Sequence, residues 1–397
     1  MKPAVSVSGS TSIASIAVLF IGLAAGPPGW GCSSDSDAGD SDAAADPDAS
    51  SPGEFAAFDE VISAFLEERG LAGASAVIVD RDQGEVYLRG YGAFDAGRLY
   101  LIASSSKTIS VGVLMHLADQ GLVDLDAPIG TYVGAAFGDG DGKAELTLAQ
   151  LLSNSSGLVS LTDNPLYLPY LCQYRGTGTL TECAGNIYVA DDAADRVEPD
   201  TSFHYGGGQW QLAGGVAEVV SAKSWAELVE ETFAVPCGTG SLGYANEFSG
   251  SGLSYPADFD GDVANLTPTE NPSVEGGAYI TAPDYGKLLL MHLRGGLCGD
   301  TRALSEEAVE RMRVDRIQEV YGGSTSGYPA LQGYGLGWWI DREHDGVVMD
   351  PGAYGAIPWL DLPRGYGAFV ALEATSMTGV QLAERAKPVL DAIFDAR

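Results

Sequence analysis

The chain is poor in basic residues and in histidine. It carries 21 lysines and arginines against 54 aspartates and glutamates, which gives a net charge of −33 at pH 7. Such a surface repels phosphate backbones, so nucleic acid is excluded as a partner. No G-x-S-x-G sequence occurs, and the only histidines are His116, His204, His292 and His344. The sequence therefore gives little support for a Ser-His-Asp triad on an α/β-hydrolase fold.

Sequence signals for metals and nucleotide cofactors are also missing. Neither C-x-x-C nor H-x-x-x-H spacing occurs anywhere in the chain, and these are the spacings that zinc sites commonly use. The glycines of YGGGQ and YGLGW do not lie between a strand and a helix, as a dinucleotide fingerprint requires. We therefore expect no metal and no cofactor.

Long apolar runs are absent except near the N-terminus. The run at residues 13–25 follows Lys2; it is too short for a comfortable membrane span and fits the apolar part of a secretory signal. We expect a signal peptide over residues 1–31 and a Ser/Asp-rich tether over residues 32–54, because this composition cannot bury a core. The arrangement resembles a bacterial lipoprotein with Cys32 as the lipidated residue. The protein would then be exported and lipid-anchored in the cell envelope, on the periplasmic or outer face. Plain secretion and an uncleaved anchor stay open.

Four cysteines remain if Cys32 carries lipid, an even number for an oxidising compartment. We expect two disulfides, and the spacing favours a short loop closed by Cys172 and Cys183, with Cys237 joined to Cys298. About three connectivities are possible for four cysteines, and four free thiols are a further alternative.

The run LYLIASSSKTISVGVLMHLADQG places Ser104 and Lys107 three residues apart. Val111, Leu114 and Ala118 recur at helical spacing after them, so both side chains should share one face of a first helical turn. A lysine that is neutral because it is buried can accept the serine proton. The motif therefore predicts a serine nucleophile activated without histidine.

Ordered sequence blocks around this motif resemble a known family. The blocks are GASAVIVDRDQGEVYLRGYGAFD, LIASSSKT, GLVDLDAPIGTYV, LTLAQLLSNSSGL, FHYGGGQWQLAGGVAEVVSAKSW, NPSVEGGAYITAPDYGKLLLMHLRGGL, YGLGWW and DPGAYGAIPWLD. From about Phe55 to the C-terminus the chain is similar to the penicillin-recognising serine hydrolases, which include class C β-lactamases, D-alanyl-D-alanine carboxypeptidases and β-lactamase-like esterases. The resemblance implies an α+β fold for residues 55–397. A five-stranded antiparallel sheet would carry terminal helices on one face, with a mostly helical region opposite and the active site between them.

The periodicity of the chain agrees with this architecture. A helix is predicted over residues 55–69, followed by a hairpin over 74–79 and 85–91. Further helices are predicted over 104–122, 210–220, 283–293 and 381–394, and further strands over 335–341, 346–349, 356–361 and 367–372. Strands at both ends with a helical insertion between them match the implied fold.

Two residues at the family's motif positions differ from those that relatives carry there. Tyr205 matches the tyrosine of a Tyr-x-Asn triplet and would shuttle protons, but Gly207 replaces the asparagine, a side-chain amide that relatives use near the lysine and the substrate. Asp350 stands where relatives have a lysine or histidine on the substrate-lining strand, followed by the matching Gly352. The backbone N–H groups of Ser104 and Ala353 would form the oxyanion hole.

These residues predict an exported serine hydrolase that forms an acyl-enzyme on Ser104. We expect an esterase or amidase for uncharged or amine-bearing acyl compounds, because a negative Asp350 would repel the carboxylate of penicillins and D-alanyl peptides. A β-lactamase or D-alanyl-D-alanine carboxypeptidase is an alternative. A catalytically silent binding protein is another, since Gly207 and Asp350 both depart from the family. The sequence indicates a small-molecule substrate and leaves the oligomeric state open.

Overall fold

A computed structural model describes residues 53–140, 142–247, 255–256, 259–325, 327–328 and 330–397. The signal peptide, most of the tether and Cys32 lie outside these residues. In the described part of the chain no helix is long and apolar enough to span a membrane.

Helices and strands alternate in a mixed order within these residues. The helices are α1 (Ala56–Arg69), α2 (Lys107–Asp119), α3 (Gly130–Phe137), α4 (Leu148–Leu152), α5 (Leu180–Tyr188), α6 (Gly208–Ser221), α7 (Trp225–Val229), α8 (Val235–Cys237), α9 (Ala282–Leu293), α10 (Glu306–Met312), α11 (Arg316–Tyr321) and α12 (Ser376–Asp395). The strands are β1 (Gly73–Asp80), β2 (Gly84–Gly92), β3 (Leu99–Leu101), β4 (Gly243–Tyr244), β5 (Ala278–Thr281), β6 (Leu297–Cys298), β7 (Thr301–Arg302), β8 (Gly333–Tyr334), β9 (Trp339–Ile340), β10 (Val347–Met349), β11 (Ala356–Asp361) and β12 (Tyr366–Leu372).

The main sheet is antiparallel and joins the two ends of the chain. Its order is β2-β1-β12-β11-β10-β9-β8, and β1 pairs with β12 from Ala74 opposite Leu372 to Asp80 opposite Tyr366. Two smaller sheets have the orders β3-β5-β4 and β6-β7. The expected α+β architecture is confirmed, but the expected count of five strands is wrong, because two strands of only two residues, β8 and β9, extend the edge beyond β10.

Side chains alternate between the two faces of the sheet, as the pleat requires. Ala76 and Ile78 of β1 face a core formed with the terminal helices α1 and α12. Val77 and Val79 face a larger core on the opposite side, which includes the helical region and α9. The terminal helices therefore cover one face, and the helical region that carries Lys107 covers the other.

The hairpin, the helices and most strands lie within a few residues of their predicted bounds. The exception is the strand predicted over residues 335–341. Gly335 donates its N–H to Trp338 O, which forms a tight turn between β8 and β9. The predicted segment therefore contains this turn, with Leu336 and Trp338, followed by the short strand β9, whereas β8 lies before it.

Both predicted disulfides are present. Cys172 bonds to Cys183 across the start of α5, and Cys237 bonds to Cys298 across 61 residues. Two disulfides fit an oxidising, extracytoplasmic compartment.

Candidate active site

Ser104 lies in a 3₁₀ turn, Ala103–Ser106, between β3 and α2. Ala103 has a φ of 45°, a left-handed conformation that is unfavourable for a residue with a side chain. The surrounding structure therefore holds the turn in place. This sharp turn leaves Ser104 partly exposed, whereas Ser105 and Ser106 are buried.

Lys107 begins α2 and is completely buried. Its Nζ lies 3.2 Å from Ser104 Oγ and 3.0 Å from the carbonyl oxygen of Glu275. Burial lowers the pKa of Lys107, and the nearby carboxylate of Glu275 opposes this shift. The predicted proximity of Ser104 and Lys107 is therefore present, in surroundings that favour the neutral amine.

The other two serines of the motif fasten the turn to its neighbours. Ser105 Oγ lies 2.6 Å from Asp350 O and 3.0 Å from Ala356 O, so its hydroxyl links the turn to the segment between β10 and β11. Ser106 Oγ accepts the N–H of Ala278 in β5 at 2.9 Å. The S-x-x-K spacing identifies Ser104, and the contacts explain why its two neighbours are serines as well.

Tyr205 lies in the loop before α6, and its ring faces Lys107. The Nζ of Lys107 is 4.6 Å from the centre of this ring, within the range of a cation–π contact when the amine is protonated. Burial raises the pKa of Tyr205, although its hydrogen bond with Ser104 opposes the rise. The phenol is therefore protonated at neutral pH and available as a proton donor.

Glu275, which the motif analysis did not include, is the third group beside Lys107. It lies in the loop before β5, and its Oε2 is 3.4 Å from Lys107 Nζ and 2.9 Å from the N–H of Gly207. Gly207 thus contributes its backbone to the site. The run NPSVEGG does contain this glutamate, but a single acidic residue outside the motifs gave no signal of its own.

The structure places Asp350 away from the open surface, which corrects one expectation. Its side chain is completely buried, and Oδ2 accepts the N–H of Thr108 at 3.3 Å. Burial raises the pKa of Asp350 well above its usual value, which favours the neutral carboxyl. A buried carboxyl that favours the neutral form does not provide the repulsion of a substrate carboxylate that the sequence analysis expected.

Gly352 brings the segment after β10 against the turn that carries Ser104. A Cβ at this position would lie 2.1 Å from Ile102 O and 2.8 Å from Ser105 Oγ, so only glycine allows this approach. Among the described residues, no hydrogen-bond acceptor is paired with the N–H of Ser104 or of Ala353. Both N–H groups are therefore free to bind a ligand oxygen.

Two apolar clusters flank the site. The first cluster contains Tyr205 together with Phe203, Ile317, Tyr321, Tyr328, Leu331, Tyr334, Trp339 and Met349. The second contains Ala103 and Ala353 together with Leu99, Leu101, Tyr255, Phe259, Leu266, Tyr279 and Tyr354. Within the described residues, Lys107 is the only basic side chain that forms a hydrogen bond, ion pair or cation–π contact with Ser104, Tyr205 or Glu275.

An antiparallel sheet covered by terminal helices on one face, and a serine–lysine pair on the other side, define a serine hydrolase of the β-lactamase type. Residues 58–391 match the family model described as Beta-lactamase. This chain therefore belongs to the beta-lactamase family of serine hydrolases.

Two relatives with assigned names are similar to this chain over most of its length. Penicillin-binding protein 4 from Amycolatopsis lactamdurans is 27% identical over 341 residues, which cover 81% of this chain and 85% of the relative. The 6-aminohexanoate-dimer hydrolase of Paenarthrobacter ureafaciens is 27% identical over 300 residues, covering 73% of this chain and 69% of the relative.

A solved structure shares the fold. The octameric penicillin-binding protein homologue from Pyrococcus abyssi superposes with a TM-score of 0.66 at 22% identity, over 85% of this chain and 77% of that chain.

Proposed function

We propose that the protein is an exported esterase or amidase that forms an acyl-enzyme on Ser104, with Lys107 as the general base. The observation that carries this proposal is the fully buried Nζ of Lys107 at 3.2 Å from Ser104 Oγ. At this distance a neutral amine accepts the hydroxyl proton directly.

The proposed reaction has two steps. Ser104 Oγ attacks the acyl carbon while its proton passes to Lys107 Nζ, and the N–H groups of Ser104 and Ala353 bind the developing oxyanion. Tyr205 transfers a proton to the leaving alkoxide or amine as its bond to the acyl carbon breaks, and the proton that Lys107 took from Ser104 passes to Tyr205, so that both groups regain their starting state. Water then attacks the acyl-enzyme, and its proton returns through the same groups to Ser104 Oγ as the acid is released.

The preference for uncharged or amine-bearing acyl compounds rests on two features, the lack of a positively charged side chain at position 350 and the two apolar clusters. Position 350 carries a completely buried carboxyl whose pKa is raised by burial, so it provides no positive charge for a substrate carboxylate. The two apolar clusters favour acyl and alcohol groups without charge. A relative named for the hydrolysis of the 6-aminohexanoate dimer supports amides as a second substrate class.

A β-lactamase or D-alanyl-D-alanine carboxypeptidase is the second candidate. The relative named penicillin-binding protein 4, which matches 81% of this chain, favours it. The lack of a cation at position 350 weakens it, because such substrates present a carboxylate that a positive group would stabilise.

We also propose that the protein is held in the cell envelope by a lipid on Cys32, through the tether of residues 32–54. The two disulfides support export, and Cys32 with the apolar run before it supports the anchor.

The test is a comparison of kcat/KM for a series of p-nitrophenyl esters, a D-amino acid amide, a penicillin and a D-alanyl-D-alanine peptide. We expect neutral esters to be the best substrates, and Ser104→Ala to abolish turnover of all of them. A preference for the penicillin or the peptide would establish the second candidate instead. A folded wild-type protein that turns over none of these substrates would favour a silent binding protein.

A further inference from the structure

Glu275 contacts Lys107 through both its main chain and its side chain. We propose that Glu275 is a positioning residue that fixes the orientation of the Lys107 amine toward Ser104 and sets its basicity. This inference rests on the proposed function of Lys107 as the base that deprotonates Ser104.

The orientation follows from counting hydrogen-bond donors. A neutral lysine amine has two N–H groups and one lone pair. Nζ of Lys107 is hydrogen-bonded to Glu275 O at 3.0 Å and forms an ion-pair contact with Glu275 Oε2 at 3.4 Å, so Glu275 presents two oxygen atoms to the amine. The third contact is Ser104 Oγ, at 3.2 Å. When the neutral amine directs both N–H groups at the oxygen atoms of Glu275, its lone pair faces the Ser104 hydroxyl, which is the arrangement that proton transfer requires.

The carboxylate is itself held by a backbone segment that only glycine can form. Gly207 donates its N–H to Glu275 Oε2 at 2.9 Å and has a φ of 89°, in the region that favours glycine. A Cβ at Gly206 would lie 2.6 Å from the same Oε2. A side chain at Gly206 would therefore displace the carboxylate, whereas one at Gly207 would be strained by its φ and would contact the backbone at Ser160 and Leu161.

The charge of Glu275 acts mainly on Lys107. In the described part of the chain Lys107 is the only cation paired with Glu275, and Glu275 Oε1 is buried without a hydrogen-bond partner there. Asp350, Tyr328 and Tyr205 also face Lys107. Burial raises the pKa of Asp350 well above its usual value and that of Tyr328 to about 12, so burial favours the uncharged form of both groups.

The consequence is a defined effect on basicity. Burial lowers the pKa of Lys107, and Glu275 raises it again. Glu275 therefore keeps the amine a stronger base than burial alone would leave it. Removing the carboxylate charge must lower the pKa of Lys107, and the pH at which the enzyme gains activity must fall with it.

The experiment is a pH titration of wild type and Glu275→Gln labelled with [ε-¹³C]lysine, followed by NMR. The full chain contains six lysines, and Lys107→Met identifies the signal of Lys107. We expect Glu275→Gln to lower the Lys107 pKa by about one unit or more, the usual effect of removing an opposite charge at this distance. The acid limb of the kcat/KM profile for a neutral ester should move to lower pH by the same amount.

Asp192→Asn is the matched control, because Asp192 forms a buried ion pair with Lys143 at 2.7 Å. It should leave the acid limb and the Lys107 signal unchanged. An unmoved Lys107 pKa in folded Glu275→Gln would overturn the inference, and this readout does not depend on turnover. If Lys107→Met turned over the ester as fast as wild type, that result would instead contradict the proposed function.

Glu275→Asp provides a second test and replaces the first if Glu275→Gln does not fold. Aspartate keeps the charge but is one methylene shorter, so its carboxylate should no longer reach both Gly207 and Lys107. We expect kcat to fall by about tenfold or more with the acid limb displaced by less than in Glu275→Gln. Wild-type kcat in a folded Glu275→Asp would overturn the positioning role.

Discussion

Lys107 and Lys143 are both completely buried beside a carboxylate, but their surroundings differ. Lys143 Nζ lies 2.7 Å from Asp192 Oδ1 and 2.8 Å from Ala190 O. Asp192 also binds Arg196 and the hydroxyl of Tyr170. Lys107 has a longer ion pair, 3.4 Å from Glu275 Oε2, and its Nζ is hydrogen-bonded to the hydroxyl of Ser104.

The difference shows what makes a buried lysine reactive. At Lys143 the carboxylate is close and strongly bonded, so the charged form of the pair is satisfied and holds the α5 region to the segment before α4. At Lys107 the carboxylate is farther away, and burial dominates the pKa. Lys143 is therefore structural, and Lys107 can exchange protons.

The largest expected effect separates the two lysines by activity. Lys107→Ala should lower kcat/KM for a neutral ester by about 10² to 10⁴, the range for loss of a general base, with folding retained. Lys143→Ala should leave kcat/KM per folded molecule within about twofold of wild type, since it removes no group of the site. Equal losses in the two variants would mean that Lys107 acts only through the fold.

The stability of the fold should depend more on the pair of Lys143 and Asp192 than on the pair of Lys107 and Glu275. Asp192→Ala leaves Lys143 buried without its carboxylate, and breaking a buried pair in this way costs about 3–5 kcal/mol. We expect this loss in the free energy of unfolding measured by urea denaturation. A loss below about 1 kcal/mol, the range of exposed pairs, would show that the Lys143 pair is not structural.

A smaller effect concerns the attachment of the Ser104 turn. Ser105→Ala removes the hydroxyl that bonds to Asp350 O and Ala356 O. Loss of a buried hydrogen bond costs about 1–3 kcal/mol, and kcat should fall by about tenfold as the turn and the β10–β11 segment move apart. Ser221→Ala is the control, because Ser221 Oγ bonds to Ala217 O at the opposite end of α6 from Tyr205. If both variants retain wild-type kcat, the Ser105 bonds do not position the site.

The smallest expected effect is at Asp350. Because burial raises the pKa of this carboxyl well above its usual value, the neutral form is favoured, and Asp350→Asn replaces it with a neutral group of similar shape. We expect kcat/KM at pH 7 to change by less than about threefold and stability by less than about 1 kcal/mol. An acid limb displaced by a full pH unit would show that Asp350 is charged and acts on Lys107.

Motif spacing was enough to bring Ser104, Lys107 and Tyr205 together, because a helical turn fixes the first two and the family order fixes the third. Most strands of the main sheet and five of the twelve described helices, including both terminal helices, also followed from periodicity. The short strands β8 and β9 did not, because the apolar residues near Gly335 do not reveal the turn that separates these strands.

Glu275 and Asp350 could not be placed from the sequence for a physical reason. Burial and partners decide what an acidic residue does, and both depend on contacts between segments far apart in the chain. Asp350 directly follows β10, but its side chain is buried at the start of α2, where its Oδ2 accepts the N–H of Thr108. Glu275 reaches Lys107 because Gly206 leaves room for its carboxylate and Gly207 donates its N–H to it.

The most direct test of the contrast between the two lysines is the rate of covalent labelling by a fluorophosphonate, followed by intact mass and peptide mapping. We expect a single adduct on Ser104 in wild type and Lys143→Ala at equal rates, none in Ser104→Ala, and labelling at least about 10² slower in Lys107→Ala. An adduct on another residue, or equal rates in Lys107→Ala and Lys143→Ala, would contradict the claim that the buried Lys107 activates Ser104.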